Sequence, residues 1–431
     1  MLQHCVAVAD KVTPSSCALS KTQMSQWPLN VAIRFARWVA FAVVIGLASG
    51  VLSASFIAAL NWATTTRTSH NGLLFLLPLA GLLVGAAYHY GGRGLERGSN
   101  LVIEQIHGQS EWIPFRLTPL IFSASVISHV AGASVGREGA AIQLAAGVTD
   151  PLSKRLGLPP TERSIMLVTA IAGAFGSVFG VPVAGAIFAL EVQRVGRIRY
   201  EALVPAFVAS FVGDAVVRGI GIDHTHFPTM TSIDFNVSAV WKLVVFGCLA
   251  GIVAWAFIAL THFIRRTAGR LIPWYPARPL IGGVILVIVI VVFGWRDYSG
   301  LSMPLALEAM NGSATGQWGT KFALTSLSIG MGFVGGEFIP LFVIGALAGA
   351  SFASITGANI AVFALIGSVA VLAGATNTPL ACTVLGLELF GGQGLAWFAI
   401  ACVIAYATSG NGSIYHAQIG RVPTTRTHTT N

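Results

Sequence analysis

From Ala36 to Ala63 the chain carries one ionisable residue, Arg37, and is otherwise apolar or small. A helix rises 1.5 Å per residue, so this run is long enough to cross a hydrocarbon core of about 30 Å. Inside such a core no water satisfies backbone N–H and C=O groups, and the segment must bond them within itself. Leu73–Tyr90, Ala202–Val217, Ala239–Ile264 and Leu280–Trp295 have the same character. Only 10% of the 431 residues are charged and 55% are hydrophobic, whereas soluble domains carry about 25% charged residues. The expected fold class is an all-α polytopic membrane protein.

The 25 Lys and Arg exceed the 16 Asp and Glu, giving a net charge of +9. In a membrane protein this excess belongs to cytoplasmic loops, and no nucleic-acid partner follows from it. Arg34 and Arg37 flank the start of the first span and argue for a cytoplasmic N-terminus. Arg194, Arg197 and Arg199, and again Arg265, Arg266 and Arg270, mark further cytoplasmic loops. Cys5, Cys17, Cys248, Cys382 and Cys402 show no paired spacing, so no disulfide framework, metal site or cofactor is expected. Residues 1–28 read as a disordered cytoplasmic tail without a signal-peptide pattern. Residues 421–431 read as a short C-terminal tail with no soluble regulatory domain.

Against this apolar background the stretch GASVGREGAAIQLAAG, Gly132–Gly147, places Arg137 and Glu138 at membrane depth. An ionised carboxylate there costs several kcal/mol unless it is paired, lines water or takes up a proton, which makes it a functional candidate. Gly132, Gly136 and Gly139 permit close backbone approach, and the following apolar run reads as a helix whose free first-turn N–H groups begin beside Glu138. Such a helix end is an anion site built from backbone dipoles. Gly98, Ser99 and Asn100 likewise precede a short apolar run and carry an N-cap signature.

Segment lengths and spacing add a second constraint. Phe115–Ser134 is of ordinary length, Ala140–Val148 is too short to span, and Ile165–Val192 is long but broken by glycines and Pro182. Short and broken apolar segments point to discontinuous helices whose ends meet at a buried site. VGRE ending at Glu138 recurs as VGGE ending at Glu337, an offset of 337 − 138 = 199. Glu191 recurs as Glu388 and Pro182 as Pro379, both at 197. One period therefore duplicates residues 29–220 as 221–420, and an odd number of spans per copy would invert them around a central site.

These residues resemble the CLC family of anion channels and proton-coupled anion exchangers. GREGA at Gly136–Ala140 is similar to its GREGP signature, GSNLV at Gly98–Val102 stands where the family has GSGIP, and GGEFIP at Gly335–Pro340 where it has GGIFAP. Order and spacing agree over roughly residues 30–420. GSNLVIEQIHG, GGEFIPLFVIGA and AGATNTPLACTVLGLELFG look most like the bacterial fluoride/proton antiporter clade, CLC-F. Asn100 and Leu101, the loss of a proline at Val102, Glu337 in an apolar position and Val192 in place of the internal proton-transfer glutamate all depart from the chloride pattern. Ser99, where many CLC-F members have Met, and Phe338–Ile339, where Val-Thr is common, depart from the fluoride pattern.

The resemblance implies a CLC-type inverted repeat with a central anion site in a homodimer of the bacterial inner membrane. It implies that Glu138 is the gate: ionised it occupies the anion site, protonated it swings out and carries a proton. The competing reading is a structural pair with Arg137, which neighbouring positions on one helical turn disfavour. Glu337 is read as a second proton carrier or as a hydrogen-bonded helix cap. Ser99 with the N–H groups of Asn100 and Leu101, the loop Gly136, Arg137 and Gly139, the N–H groups of Phe338 and Ile339, and Tyr415 are implied as anion contacts. Capping by Ser99 and an interfacial role for Tyr415 remain alternatives. His129 reads as a satisfied core histidine, and Glu191, with its mate Glu388, as facing the cytoplasmic end of its helix. The expected activity is export of fluoride in exchange for protons, with chloride/proton exchange or a passive anion channel as rivals. An enzyme is disfavoured, since no nucleophile–base pair or metal cluster shows at matched spacing.

Overall fold

The computed structural model describes residues 21–108, 111–231, 236–313 and 316–420. These hold sixteen α-helices. The first half contains α1 (Lys21–Ser69), α2 (Leu77–Ala86), α3 (Ser99–Ile106), α4 (Leu117–Ala131), α5 (Glu138–Arg155), α6 (Pro160–Phe179), α7 (Pro182–Glu191) and α8 (Leu203–Gly219). The second half contains α9 (Val237–Leu271), α10 (Ala277–Phe293), α11 (Met303–Met310), α12 (Trp318–Gly330), α13 (Phe338–Thr356), α14 (Ile360–Thr376), α15 (Pro379–Phe390) and α16 (Leu395–Thr408). Six helical segments are long and apolar enough to span a membrane, while α4, α7, α10, α14, α15 and the segment ending in α16 are shorter. The protein is thus a multi-pass membrane protein with discontinuous helices.

α1 starts at Lys21, so residues 21–28 of the expected N-terminal tail are helical. A helix already nucleated by an apolar span extends back through polar residues at little cost. Residues 1–20, including Cys5 and Cys17, and the C-terminal tail 421–431 lie outside the described residues. Cys248, Cys382 and Cys402 are free thiols.

The two halves run in opposite senses. One cavity collects Asn61 and Arg67 from the C-terminal part of α1, Asn71 ahead of α2, and Arg296 just beyond α10. A second cavity collects Tyr88 after α2, Arg265 near the end of α9, and Arg278 at the start of α10. The C-terminal ends of α1 and of its counterpart α9 therefore lie on opposite faces, as do the ends of α2 and α10. α3 borders the second cavity and α11 the first. The first cavity is called the outer one and the second the inner one, following the expected cytoplasmic placement of Arg265, Arg266 and Arg270.

The break in each half has one chemistry. α6 ends on Gly180 with φ 73° and α7 begins at Pro182, while α14 ends on Asn377 with φ 56° and α15 begins at Pro379. A left-handed residue closes one helix and a proline opens the next. Ile165–Val192, read as one interrupted segment, is therefore two helices. Close packing uses missing side chains: a Cβ on Gly345 of α13 would lie 2.1 Å from the Gly367 carbonyl of α14, and the reverse contact is equally short.

Candidate functional site

α5 and α13 point their N-termini at one another. Just before them, Gly136 and Gly336 exchange both backbone hydrogen bonds, N–H to O at 2.6 and 2.7 Å, in an isolated antiparallel bridge, so the repeats meet here at an offset of 336 − 136 = 200, one residue more than the VGRE and VGGE match gave. Neither position tolerates a side chain, since a Cβ on Gly136 would sit 2.9 Å from Pro340 and one on Gly336 2.8 Å from the Gly139 nitrogen. This reciprocal contact is what a local two-fold relation between repeats produces.

Glu138 is the first residue of α5 and is 1% exposed. Its Oε2 accepts the Arg137 N–H at 3.2 Å and the Ile339 N–H at 3.3 Å. One carboxylate oxygen thus draws donors from the N-terminal ends of helices in both repeats, where a free anion would also be stabilised. Its Oε1 makes no hydrogen bond among the described residues and lies 3.5 Å from Arg137 Nε. Arg137 and Glu138 do face each other, contrary to the expectation from helical spacing. Arg137 precedes the first helical residue, so the rule for neighbours within a helix does not govern it.

Glu138 stands between two cavities. The outer one, about 740 Å³, is lined by Arg67, Arg137, Ser299, Ser302 and Ile339, with Arg296 and the acids Asp297 and Glu308 also bordering it. The inner one, about 250 Å³, is lined by Ser99, Asn100, Gly139, Gln143, Glu337 and Tyr415. Arg97, Arg265 and Arg278 add positive charge to the inner wall. Arg137 and Ile339 face outward and Gly139 inward, which leaves Glu138 in the partition.

Within the inner cavity the expected residues differ in what they offer. Ser99 is the first residue of α3, and its hydroxyl donates to the Gly139 carbonyl at 3.2 Å instead of capping α3. The helix already turns on Gly98, whose φ is 62°, so the Ser99 side chain is free to reach α5. The Leu101 N–H bonds the Gly98 carbonyl at 3.1 Å and is not open to a ligand. Asn100 accepts the Ala417 N–H at 3.0 Å and so fastens the segment carrying Tyr415. Tyr415 is buried, its ring meets Phe188 edge-on at 6.2 Å, and its hydroxyl has no hydrogen-bond partner among the described residues. Phe338 is buried against Phe175, Phe179 and Phe188, with ring centroids at 5.0, 5.1 and 5.9 Å. Glu337 precedes α13 without capping it, and its carboxylate has no hydrogen bond or ion pair among the described residues.

Glu191 and Glu388 do not sit free at a cytoplasmic end. The Glu191 carboxylate, ending α7, accepts the Leu380 and Ala381 N–H groups of α15 at 3.2 and 2.8 Å. The Glu388 carboxylate in α15 accepts the Val183 and Ala184 N–H groups of α7 at 3.0 and 2.6 Å. Each helix carries the cap of the other, which satisfies the free N–H groups exposed where α6 and α14 break off. His129 is buried, with Nδ1 2.7 Å from the Ser125 carbonyl.

The sequence model of the voltage gated chloride channel family matches residues 80–410. A chloride/fluoride channel protein from Pseudomonas syringae pv. tomato is 39% identical over 397 residues, covering 90% of this chain and 88% of that one. An H(+)/Cl(-) exchange transporter from Salmonella typhimurium is 24% identical over 378 residues, covering 81% and 80%. Among solved structures, a CLC-type fluoride/proton antiporter superposes with a TM-score of 0.86 at 31% identity, covering 89% of this chain and 98% of that one. A slow cyanobacterial Cl-/H+ antiporter superposes at 0.74 with 19% identity, covering 86% and 94%, and shares the fold.

Proposed function

Because this chain belongs to the voltage-gated chloride channel family, CLC, we propose that it is a proton-coupled halide antiporter of the bacterial inner membrane. In this reading it works as a homodimer and exports fluoride as protons enter. The observation that carries the proposal is the Glu138 carboxylate drawing N–H donors from both repeats. A carboxylate and an anion compete for these donors. Protonation removes the charge that holds the side chain there and opens the position to the anion, so the two ions exclude each other and are thereby coupled.

Glu337 supplies the inner half of the proton path. Its carboxylate borders the inner cavity without a hydrogen bond or close ion pair, within the field of Arg265, whereas Val192 in α7's C-cap position is an apolar side chain. Ser99, Tyr415 and the uncovered Gln143 Oε1 place polar groups around the same space. Fluoride is preferred over chloride on the GSNLV and GGEF signatures and on the similarity to a chloride/fluoride channel protein and to a CLC-type fluoride/proton antiporter. A small, strongly hydrated ion needs such closely spaced donors to offset dehydration.

Purified protein in liposomes, followed with fluoride, chloride and pH electrodes, tests this directly. Fluoride release is expected to outpace chloride release and to drive uphill proton movement. Faster chloride flux moves the protein to the chloride/proton exchangers, and fluoride flux without proton movement makes it a channel.

A further inference from the structure

Besides the two cavities flanking Glu138, a third of about 440 Å³ opens on the cytoplasmic face, bordered by Arg93, Arg97, Trp112, Arg116 and Lys154. Its cations come from three elements that end at one level. Arg93 follows the apolar segment Asn71–Gly91, Arg116 immediately precedes α4, and Lys154 lies in the last turn of α5. Where apolar spans stop, lipid headgroups begin. Tyr90 is 67% exposed and Phe115 is 61% exposed beside Arg93 and Arg116, as aromatic side chains are at a membrane interface.

Glu111 also borders this cavity, so its positive charge is only partly compensated. Arg97 is engaged by Glu104 at 2.5 Å and Glu111 at 3.4 Å. Arg93, Arg116 and Lys154 form no ion pair among the described residues. Arg93 spends only its Nε, on the His89 carbonyl at 3.4 Å. The floor is rigid as well. The Arg163 guanidinium lies 4.1 Å from the centre of the Trp112 ring, and Asp150 holds that guanidinium at 2.6 and 2.7 Å while accepting the Ile113 N–H at 2.7 Å. Lys154 approaches the same ring at 5.8 Å.

We propose that Arg93, Arg116 and Lys154 bind the phosphate of an anionic glycerophospholipid in the cytoplasmic leaflet. Arginine and lysine donors converging on one space suit a phosphodiester, and Leu101 and Pro114 give its glycerol backbone an apolar wall. The proposal is independent of the transport reading, since none of the three cations borders the cavities beside Glu138.

The test is native mass spectrometry of the full chain released from detergent containing equal phosphatidylglycerol and phosphatidylcholine. The wild type is expected to retain phosphatidylglycerol selectively. The triple variant R93Q/R116Q/K154Q is expected to lose it by about fivefold for each cation removed. A control with the same change in charge, R197Q/R266Q/R270Q, alters exposed arginines elsewhere and is expected to retain the lipid like the wild type. Thermal midpoints of both variants check folding, and R116Q alone replaces the triple variant if that fails to fold. Equal retention of both lipids by the wild type, or equal loss in both triple variants, overturns the proposal. Full displacement by soluble sn-glycerol 3-phosphate also overturns it, because the site would then serve a free phosphate ester.

Discussion

Glu138 and Glu337 are acids of the same kind in unlike surroundings, and the contrast assigns them separable behaviour. Glu138 lies against N–H donors and Arg137 in the partition, while Glu337 opens into the inner cavity without a hydrogen bond, with Arg265 as the nearest charge acting on it. Glu138→Gln keeps the shape but cannot exchange a proton. It is expected to let halide flux continue while abolishing proton pumping, read with a pH electrode in a liposome suspension. Glu337→Gln is expected to slow proton movement about 10²-fold, the usual worth of a placed acid–base group, with anion affinity measured by calorimetry unchanged. Coupling at the wild-type rate in either variant removes that residue from the path. Glu138 was legible in the sequence because a charge among small apolar residues is costly and glycines frame it. Its contact with Arg137 was not, because Arg137 lies just outside α5, where helical spacing does not set the side-chain direction. The Leu101 N–H was misjudged for a related reason: residue type does not reveal that the turn at Gly98 already uses that donor.

Among elements, the crossed caps of α7 and α15 were the least legible feature. Glu191 and Glu388 bond residues roughly 190 to 205 positions away, and only their shared repeat spacing hinted at a joint role. Losing an N-cap costs about 0.5–2 kcal/mol. Glu191→Ala and Glu388→Ala are each expected to lower thermal stability in detergent by that order while proton coupling survives. Lost coupling at unchanged stability would instead put Glu191 on the proton route. The break after α6 was visible as Gly180 and Pro182 but hidden by continuous hydrophobicity on either side. There His224 packs on Gly180 and shares a hydrogen bond at 2.9 Å with the Ser177 carbonyl. Burial holds its imidazole below the ordinary value, against the opposing pull of that carbonyl and of Asp214. The unfolded chain then binds more protons than the folded one below about pH 6.5, so His224 contributes stability above that pH which is lost on acidification. The fall in thermal midpoint between pH 7.5 and pH 5.5 should shrink in His224→Gln, and an identical fall would refute the assignment.

For the whole molecule, the inverted duplication was readable from Pro182 with Pro379 and Glu191 with Glu388, because two copies under one geometric constraint keep the same landmarks; the match of Glu138 with Glu337 is one residue out of register, since Glu138 opens α5 whereas Glu337 precedes α13. The cavities were not readable, since they arise where distant parts of the chain come together, as Arg97 before α3, Arg265 in α9 and Arg278 in α10 do on the inner wall. Glu96 and Glu337 border the same cavity, so the three arginines leave a small net positive charge that would attract anions and that added salt screens. Uptake of halide from the cytoplasmic side at sub-saturating concentration is expected to fall as an inert salt is raised from about 10 mM to 1 M, where the screening length drops from roughly 30 to 3 Å. A salt-independent rate would mean that these arginines do not guide the ion. The bridge between Gly136 and Gly336 has a mechanical consequence. Many transporters alternate by rocking one repeat against the other, and such rocking changes the cross-section they present to the lipid. Here the repeats are tied at their centre by two short peptide hydrogen bonds, and the group set between the two cavities is a side chain. A cycle carried by that side chain does almost no work against lateral pressure, so stretching or stiffening the bilayer should leave its turnover nearly untouched.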